Sequence, residues 1–176
     1  MFININFPSG GKYKMISTAI LTISDKGYNN QREDLTGPAI KDILPSDKFS
    51  VDYYKIIPDE VEMIKEELIY LCDSLGINMI LTNGGTGFSK RDVTPEATTS
   101  VIEKLVPGIP EAMRSASLKI TPKAMLSRAI SGIRKSTLIV NLPGSPKGAV
   151  ENLEVILPAL PHGIDILTGE ASECSR

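Results

Sequence analysis

Three short, almost wholly apolar runs are spaced along the chain: ISTAILTI at 16–23, INMILT at 77–82 and TLIVN at 137–141. Each is rich in β-branched residues and too short for a good helix, and the first is followed by the turn-rich SDKGYNN. Such runs suit strands buried on both faces, as in a parallel sheet. VDYYKII at 51–57 alternates and predicts a further strand. Between these runs the periodicity becomes helical. Gly37 to Leu44 reads as a short helix with Pro38 near its start and Pro45 as its stop. From Asp59 onward Val61, Ile64, Leu68, Leu71 and Leu75 recur at three and four, one apolar stripe ending at Gly76. Thr94 and Pro95 open a helix expected to run to Leu105. Helical patterns follow at Glu111 to Lys119 and Ala124 to Ala129. Gly132 and Ser136 then bracket an extended pair, and helices are expected from Pro146 to Leu157 and within ALPHGIDILTG. Strands alternating with helices predict an α/β domain with a parallel sheet covered on both faces.

The 176 residues fit one domain, and a fold of that size buries roughly 70% of its unfolded surface. Nineteen Lys and Arg against 21 Asp and Glu leave a net charge of -2 with no basic block, which argues against a nucleic-acid surface. No apolar stretch reaches the ~18 residues of a membrane span, and no cationic leader precedes the apolar start, so no membrane is expected. Cys72 and Cys174 show neither metal nor redox spacing, and a reducing cytoplasm is the expected setting. PSGG at 8–11 sets off residues 1–14 as an arm, with Met15 an alternative start; residues 15–169 form the domain and 170–176 a polar tail.

In open α/β sheets, ligands bind beyond the carboxyl ends of the strands. The loops at those ends concentrate the unusual chemistry: Ser24 to Asp34, Pro58–Asp59, Asn83 to Thr94, and Leu142 to Lys147. In LTNGGTGFSKRDVTPE, Gly84, Gly85 and Gly87 let main-chain N–H groups approach an anion, and the following helix turns its positive end to the same space. The loop is neither a complete GxGxxG, since Lys90 replaces the last glycine, nor a Walker loop. Lys90 and Arg91 add charge-assisted donors worth roughly 1.5–3 kcal/mol each. A carboxylate such as Asp92 beside phosphate calls for a cation between them. Mg²⁺ fits, with Asp59 as second carboxylate. NLPGSPKG repeats the logic through Gly144, Ser145 and Lys147.

Plainer roles remain open for the same residues. The glycines fit ordinary turns, Asp59 a helix N-cap, Asp92 a turn cap or a partner of Arg91, Thr94 and Glu96 cap and dipole positions, and Ser145 an N-cap. His162 has no histidine partners for a metal. Cys72, Met113, Met125 and Leu126 read as packing residues.

LTNGGTGFSKRDVTPEAT, PGIPEAMRSASL, LSRAISGIR, TLIVNLPGSPKG and ILPALPHGIDIL, in this order, resemble the molybdopterin adenylyltransferases: the MogA and MoaB-like proteins and the G domain of gephyrin. The resemblance runs from Met15 to Thr168. It implies a three-layer α/β/α fold, largely parallel and usually trimeric. It also implies Mg²⁺-dependent transfer of AMP from ATP to the terminal phosphate of molybdopterin, with pyrophosphate released, before a molybdenum insertase acts. By similarity Asp59 and Asp92 are the essential carboxylates and Mg²⁺ ligands. Gly84, Gly85, Thr86 and Gly87 would cradle nucleotide phosphates, and Ser24, Asp25, Leu142, Pro143, Gly144, Ser145 and Lys147 match loops lining the same pocket. Phe88-Ser89-Lys90 is closer to the gephyrin form than to the bacterial Pro-x-Arg form, and SDKGYNNQREDLTGP departs from the SDR-type loop. A non-catalytic, MoaB-like molybdopterin carrier is the alternative function.

Overall fold

The computed structural model describes residues 15–170. The arm read at 1–14 and the tail beyond Glu170 lie outside the described residues. Six strands form one sheet in the order β2-β1-β3-β6-β5-β4. β1 (Ile16–Ile23), β2 (Phe49–Ile57), β3 (Met79–Asn83) and β6 (Thr137–Leu142) are mutually parallel. β5 (Ser131–Arg134) and the two-residue β4 (Lys104–Leu105) add an antiparallel edge. The three apolar runs are therefore the three adjacent central strands, and the α/β reading holds.

Side chains alternate across these strands, and each set meets its own helices. Ile16, Ile20, Met79, Leu81, Leu138 and Val140 pack against α2 (Thr36–Ile43), α5 (Gly108–Leu118), α6 (Pro146–Ile156) and α7 (Leu160–Thr168) through Ile40, Met113, Leu153 and Ile164. Ala19, Leu21, Ile23, Ile80 and Ile139 face α3 (Val61–Asp73) and α4 (Thr94–Val101) through Ile64, Leu68, Leu71 and Ala97. Helices on both faces give the three-layer α/β/α sandwich. Ile20, Ile80 and Ile139 are wholly buried, which at roughly 1.5–3 kcal/mol per large side chain makes the strand centres the main store of hydrophobic stabilisation.

Four local expectations need correction. The α3 stripe ends at Leu71 and Cys72, because the helix stops at Asp73 and Gly76, at φ 63°, turns the chain; Leu75 is left exposed. The helix from Pro95 stops at Val101, since the next residues pair with β5: Glu103 N–H donates to Ile133 O at 2.8 Å and Val106 N–H to Ser131 O at 2.9 Å. Gly132 makes room for that edge, as a Cβ there would stand 2.7 Å from Lys104 O. The helix expected at Ala124 to Ala129 is a 3-10 turn over Pro122–Leu126, begun by Thr121, whose hydroxyl accepts the Lys123 N–H. There Met125 and Leu126 are exposed, so of the methionines and leucine read as packing only Met113 is core. Finally, Thr94 does not cap α4; its hydroxyl donates to Gly84 O at 2.8 Å.

Candidate active site

The chain leaves β1 for β2 on one side and returns to β3 on the other, so the strand order reverses beside β1. A crevice opens there between the carboxyl ends of β1 and β3, the usual ligand position in such sheets. Ser24 and Gly84 flank it. Gly84 has φ 99°, and a Cβ would lie 2.3 Å from Ile23 O, so only glycine lets the two strand ends approach. Gly84 N–H donates to Leu142 O at 3.2 Å, and Gly144 packs so closely that its Cβ would lie 3.0 Å from Gly84 Cα. Among the described residues no hydrogen bond takes up the N–H groups of Gly85, Thr86, Gly87 or Phe88. Four consecutive amides in this loop are thus left without a partner in the described fold.

Asp59 follows β2, and Asp25 opens the short helix α1 (Asp25–Tyr28) after Ser24, whose hydroxyl accepts the Gly27 N–H. Each aspartate carboxylate accepts the other's backbone N–H: Asp25 N to Asp59 Oδ2 at 2.9 Å, Asp59 N to Asp25 Oδ1 at 3.1 Å. Asp59 is thus occupied across the loops, while Glu60 holds the N-cap position of α3. Arg91 forks onto Asp25 through Nε and Nη2, both at 3.0 Å, and reaches Glu60 at 2.8 Å. Its bond holds the Asp25 carboxyl below the ordinary range. Asp59 moves the opposite way: burial raises its pKa, and the charges of Asp25 and Asp92 add to the rise. Asp92 accepts the Ser89 N–H at 3.0 Å, the turn-cap arrangement, and Arg91 does not pair with it. A Cβ on Gly85 would meet Asp59 Oδ1 at 3.0 Å, and one on Gly87 would meet Asp92 Oδ2 at 2.9 Å. The glycine loop therefore runs directly against both carboxylates.

The resulting cleft holds about 530 Å³ and brings together Ser24, Asp59, Gly84, Gly85, Asp92, Gly144 and Ser145. Thr86, Gly87, Pro143 and again Ser145 line a second cleft of about 330 Å³, which also includes Arg114, Lys123 and Asn152. Ser145 additionally N-caps α6 by accepting the Gly148 N–H at 3.2 Å. The remaining expected residues stand apart from both clefts. Lys90 is exposed, Arg91 is turned onto Asp25 and Glu60, Leu142 is buried, and Lys147, with an 83% exposed side chain, approaches Glu151 at 3.8 Å.

Sequence reasoning missed several participants. Asp34 lines the larger cleft and accepts bonds from Thr22 Oγ1, Tyr54 OH and the Thr36 and Gly37 amides. Burial works against its charge, yet these four donors hold its carboxyl below the usual range. Thr36 in turn donates to Gly144 O at 2.9 Å, tying α2 to the Gly-Pro loop. The only signal was local, an Asp two residues before Thr36-Gly37, which resembles an Asx turn. Arg128 contacts the glycine loop from the far side of the sequence; it stands in LSRAISGIR, one of the runs that carry the resemblance, but nothing in that run pointed to this contact.

Glycine-rich loops and two carboxylates at the switch point of a largely parallel sheet define an α/β domain whose crevice lies where such sheets take their ligands. Comparison with known proteins narrows the class. Residues 19–162 match the family described as "probable molybdopterin binding domain". The chain belongs to that family. It is 43% identical over 156 residues to the molybdopterin adenylyltransferase of Helicobacter pylori strain 26695, covering 88% of this chain and 89% of the relative. Gephyrin of Dictyostelium discoideum is 42% identical over 172 residues, which is 92% of this chain but 24% of that longer protein. The crystal structure of the molybdopterin biosynthesis enzyme MoaB from Thermus thermophilus superposes with a TM-score of 0.84 at 50% identity, covering 88% of this chain and 98% of the other.

Proposed function

We propose that the protein is a molybdopterin adenylyltransferase of molybdenum cofactor biosynthesis, joining AMP from ATP to the molybdopterin phosphate. The observation that carries this reading is the unclaimed run of amides at 85–88 set against the Asp59 and Asp92 carboxylates. A phosphate oxygen of the pterin attacks the α-phosphorus of ATP, the bond from that phosphorus to the β-bridging oxygen breaks, and pyrophosphate leaves. Both partners are anionic, so the step depends on neutralisation and alignment. The amides of Gly85, Thr86, Gly87 and Phe88 supply preorganised donors to phosphate oxygens. Ser24 and Ser145 offer hydroxyls at the rim of the larger cleft.

Asp59 and Asp92 suit Mg²⁺, which takes one or two carboxylates and completes its shell with phosphates and water. The raised pKa of Asp59 marks a carboxylate whose charge its surroundings leave under-compensated. Among the described residues no group of three or more His, Cys, Asp or Glu could hold a metal unaided, so the substrate phosphates would complete the site. Held there, the ion would supply charge neutralisation to the reacting phosphates. The two clefts share Ser145 and both border the glycine loop, so ATP in one and the pterin in the other would bring their phosphates together at that loop. Assembly as a trimer, work in the cytoplasm and transfer of product to a molybdenum insertase complete the proposal. Among the described residues no helix is long and apolar enough to cross a membrane.

The test is to mix the protein with molybdopterin, ATP and Mg²⁺ and follow adenylylated pterin by chromatography. Asp92→Asn should lower turnover by on the order of 10²-fold or more, as expected for loss of a metal-positioning carboxylate, with pterin binding kept. Tight pterin binding with no product and no ATP consumption would make the protein a carrier instead.

A further inference from the structure

We propose that Arg128 is a positioning residue for adenylyl transfer, aiming the amide nest and the Asp92 backbone from behind; this rests on the function proposed above. Arg128 is brought to the glycine loop by the extended stretch leading into β5. Its backbone N–H donates to Thr86 O at 2.9 Å. Its side chain donates from Nε to Gly87 O at 2.7 Å and from Nη2 to Asp92 O at 2.6 Å, and Nη1 pairs with Glu96. All three guanidinium nitrogens are in use, each on a different residue of the segment from Gly87 to Glu96.

Peptide planarity converts these contacts into control of the site. In a trans peptide the N–H of each residue points opposite to the carbonyl of the residue before it. Fixing Thr86 O and Gly87 O on Arg128 therefore turns the N–H groups of Gly87 and Phe88 away from Arg128, leaving them unclaimed by the rest of the fold. A loop with three glycines has little intrinsic preference for that orientation and needs an external anchor. The third contact holds the peptide that follows Asp92, so one rigid fork sets the spacing between the nest and the carboxylate. Lysine, a single point donor, cannot reach three diverging acceptors. The contact to Glu96 locks the fork against the first turn of α4.

Arg128→Ala and Arg128→Lys would be compared with wild type for thermal stability, calorimetric ATP affinity in the presence of Mg²⁺, and turnover with and without millimolar methylguanidinium. Misaligned donors near the reacting centre cost on the order of 10²-fold in rate. The expected result is that size of loss in kcat for a folded Arg128→Ala, weakened ATP binding, partial activity in Arg128→Lys, and recovery of Arg128→Ala on adding methylguanidinium. A folded Arg128→Ala with wild-type kcat and ATP affinity overturns the role, as does a loss of rate that no guanidinium restores and that tracks lowered stability. Wild type that binds ATP but makes no adenylylated pterin sinks the proposed activity, while the ATP affinity of the variants still decides whether Arg128 shapes the nest.

Discussion

Asp25 and Asp59 each accept the other's backbone N–H, at 2.9 and 3.1 Å, so the loops after β1 and β2 set one another's carboxylates. The pair is electrically unequal: Arg91 compensates Asp25, whereas Asp59 carries the cost of burial and two like charges. Asp25→Asn keeps an oxygen for the Asp59 N–H but removes one of those charges. The Asp59 carboxyl should then titrate lower than in wild type, read by carbon-detected NMR. Stability should change little, because the lost Arg91 pair is substantially exposed. An upward shift of Asp59 would contradict the electrostatic account.

The acid limit of metal binding would follow from the same asymmetry. If Asp59 holds Mg²⁺ as proposed, protons compete with the ion for its carboxylate, whose pKa in the metal-free protein is raised by burial and by Asp25 and Asp92. Calorimetric Mg²⁺-dependent ATP affinity should then begin to fall at a pH above the ordinary aspartate value of about 3.9. The onset should move down in Asp25→Asn, and an onset unmoved by that change would assign it to another group.

Asp34 predicts the opposite behaviour for stability. Its folded pKa is depressed, so the stabilisation from its four donors is fully present above the ordinary aspartate value and is lost as pH falls through the folded one. Melting temperature plotted against pH should fall on acidification below about pH 4. Asp34→Asn should flatten that fall, and an unaltered acid slope would show that Asp34 does not contribute to it.

Gly84 and Gly76 separate close approach from backbone strain. Both have positive φ, at 99° and 63°, but a Cβ at Gly76 meets nothing within 4 Å whereas one at Gly84 would lie 2.3 Å from Ile23 O. Gly76→Ala should cost the ~1–2 kcal/mol of a left-handed alanine, and Gly84→Ala clearly more. Chemical denaturation would rank them, and equal costs would mean that the β1 and β3 ends separate freely.

Much of this architecture was legible because the determining pattern was local. The runs at 16–23 and 137–141 are buried strands, and Pro38, Pro45 and Pro146 fall at or beside helix ends. β4 was missed because two exposed residues, Lys104 and Leu105, carry no periodicity, and only their pairing with Gly132 and Ile133 makes them a strand. The same limit applied at the site. Asp59, Asp92 and the glycines announced themselves as loop residues at strand ends, but the partners of Arg91 lie 31 and 66 residues away, and Arg128 reaches back 41 residues to Gly87. A cation written next to an aspartate suggested phosphate; in three dimensions Arg91 crosses to a different carboxylate.

The two borders of the sheet bear on how copies of this chain can associate. One is β2, where Asp52 and Lys55 are exposed and a register shift between Thr18 and Ala19 interrupts the pairing with β1; the other is the two-residue β4. Charged, irregular or very short borders are poor templates for another strand. Among the described residues the six-stranded sheet thus offers neither border as a ready edge for a strand of another copy, which leaves the two helical layers as its broad faces.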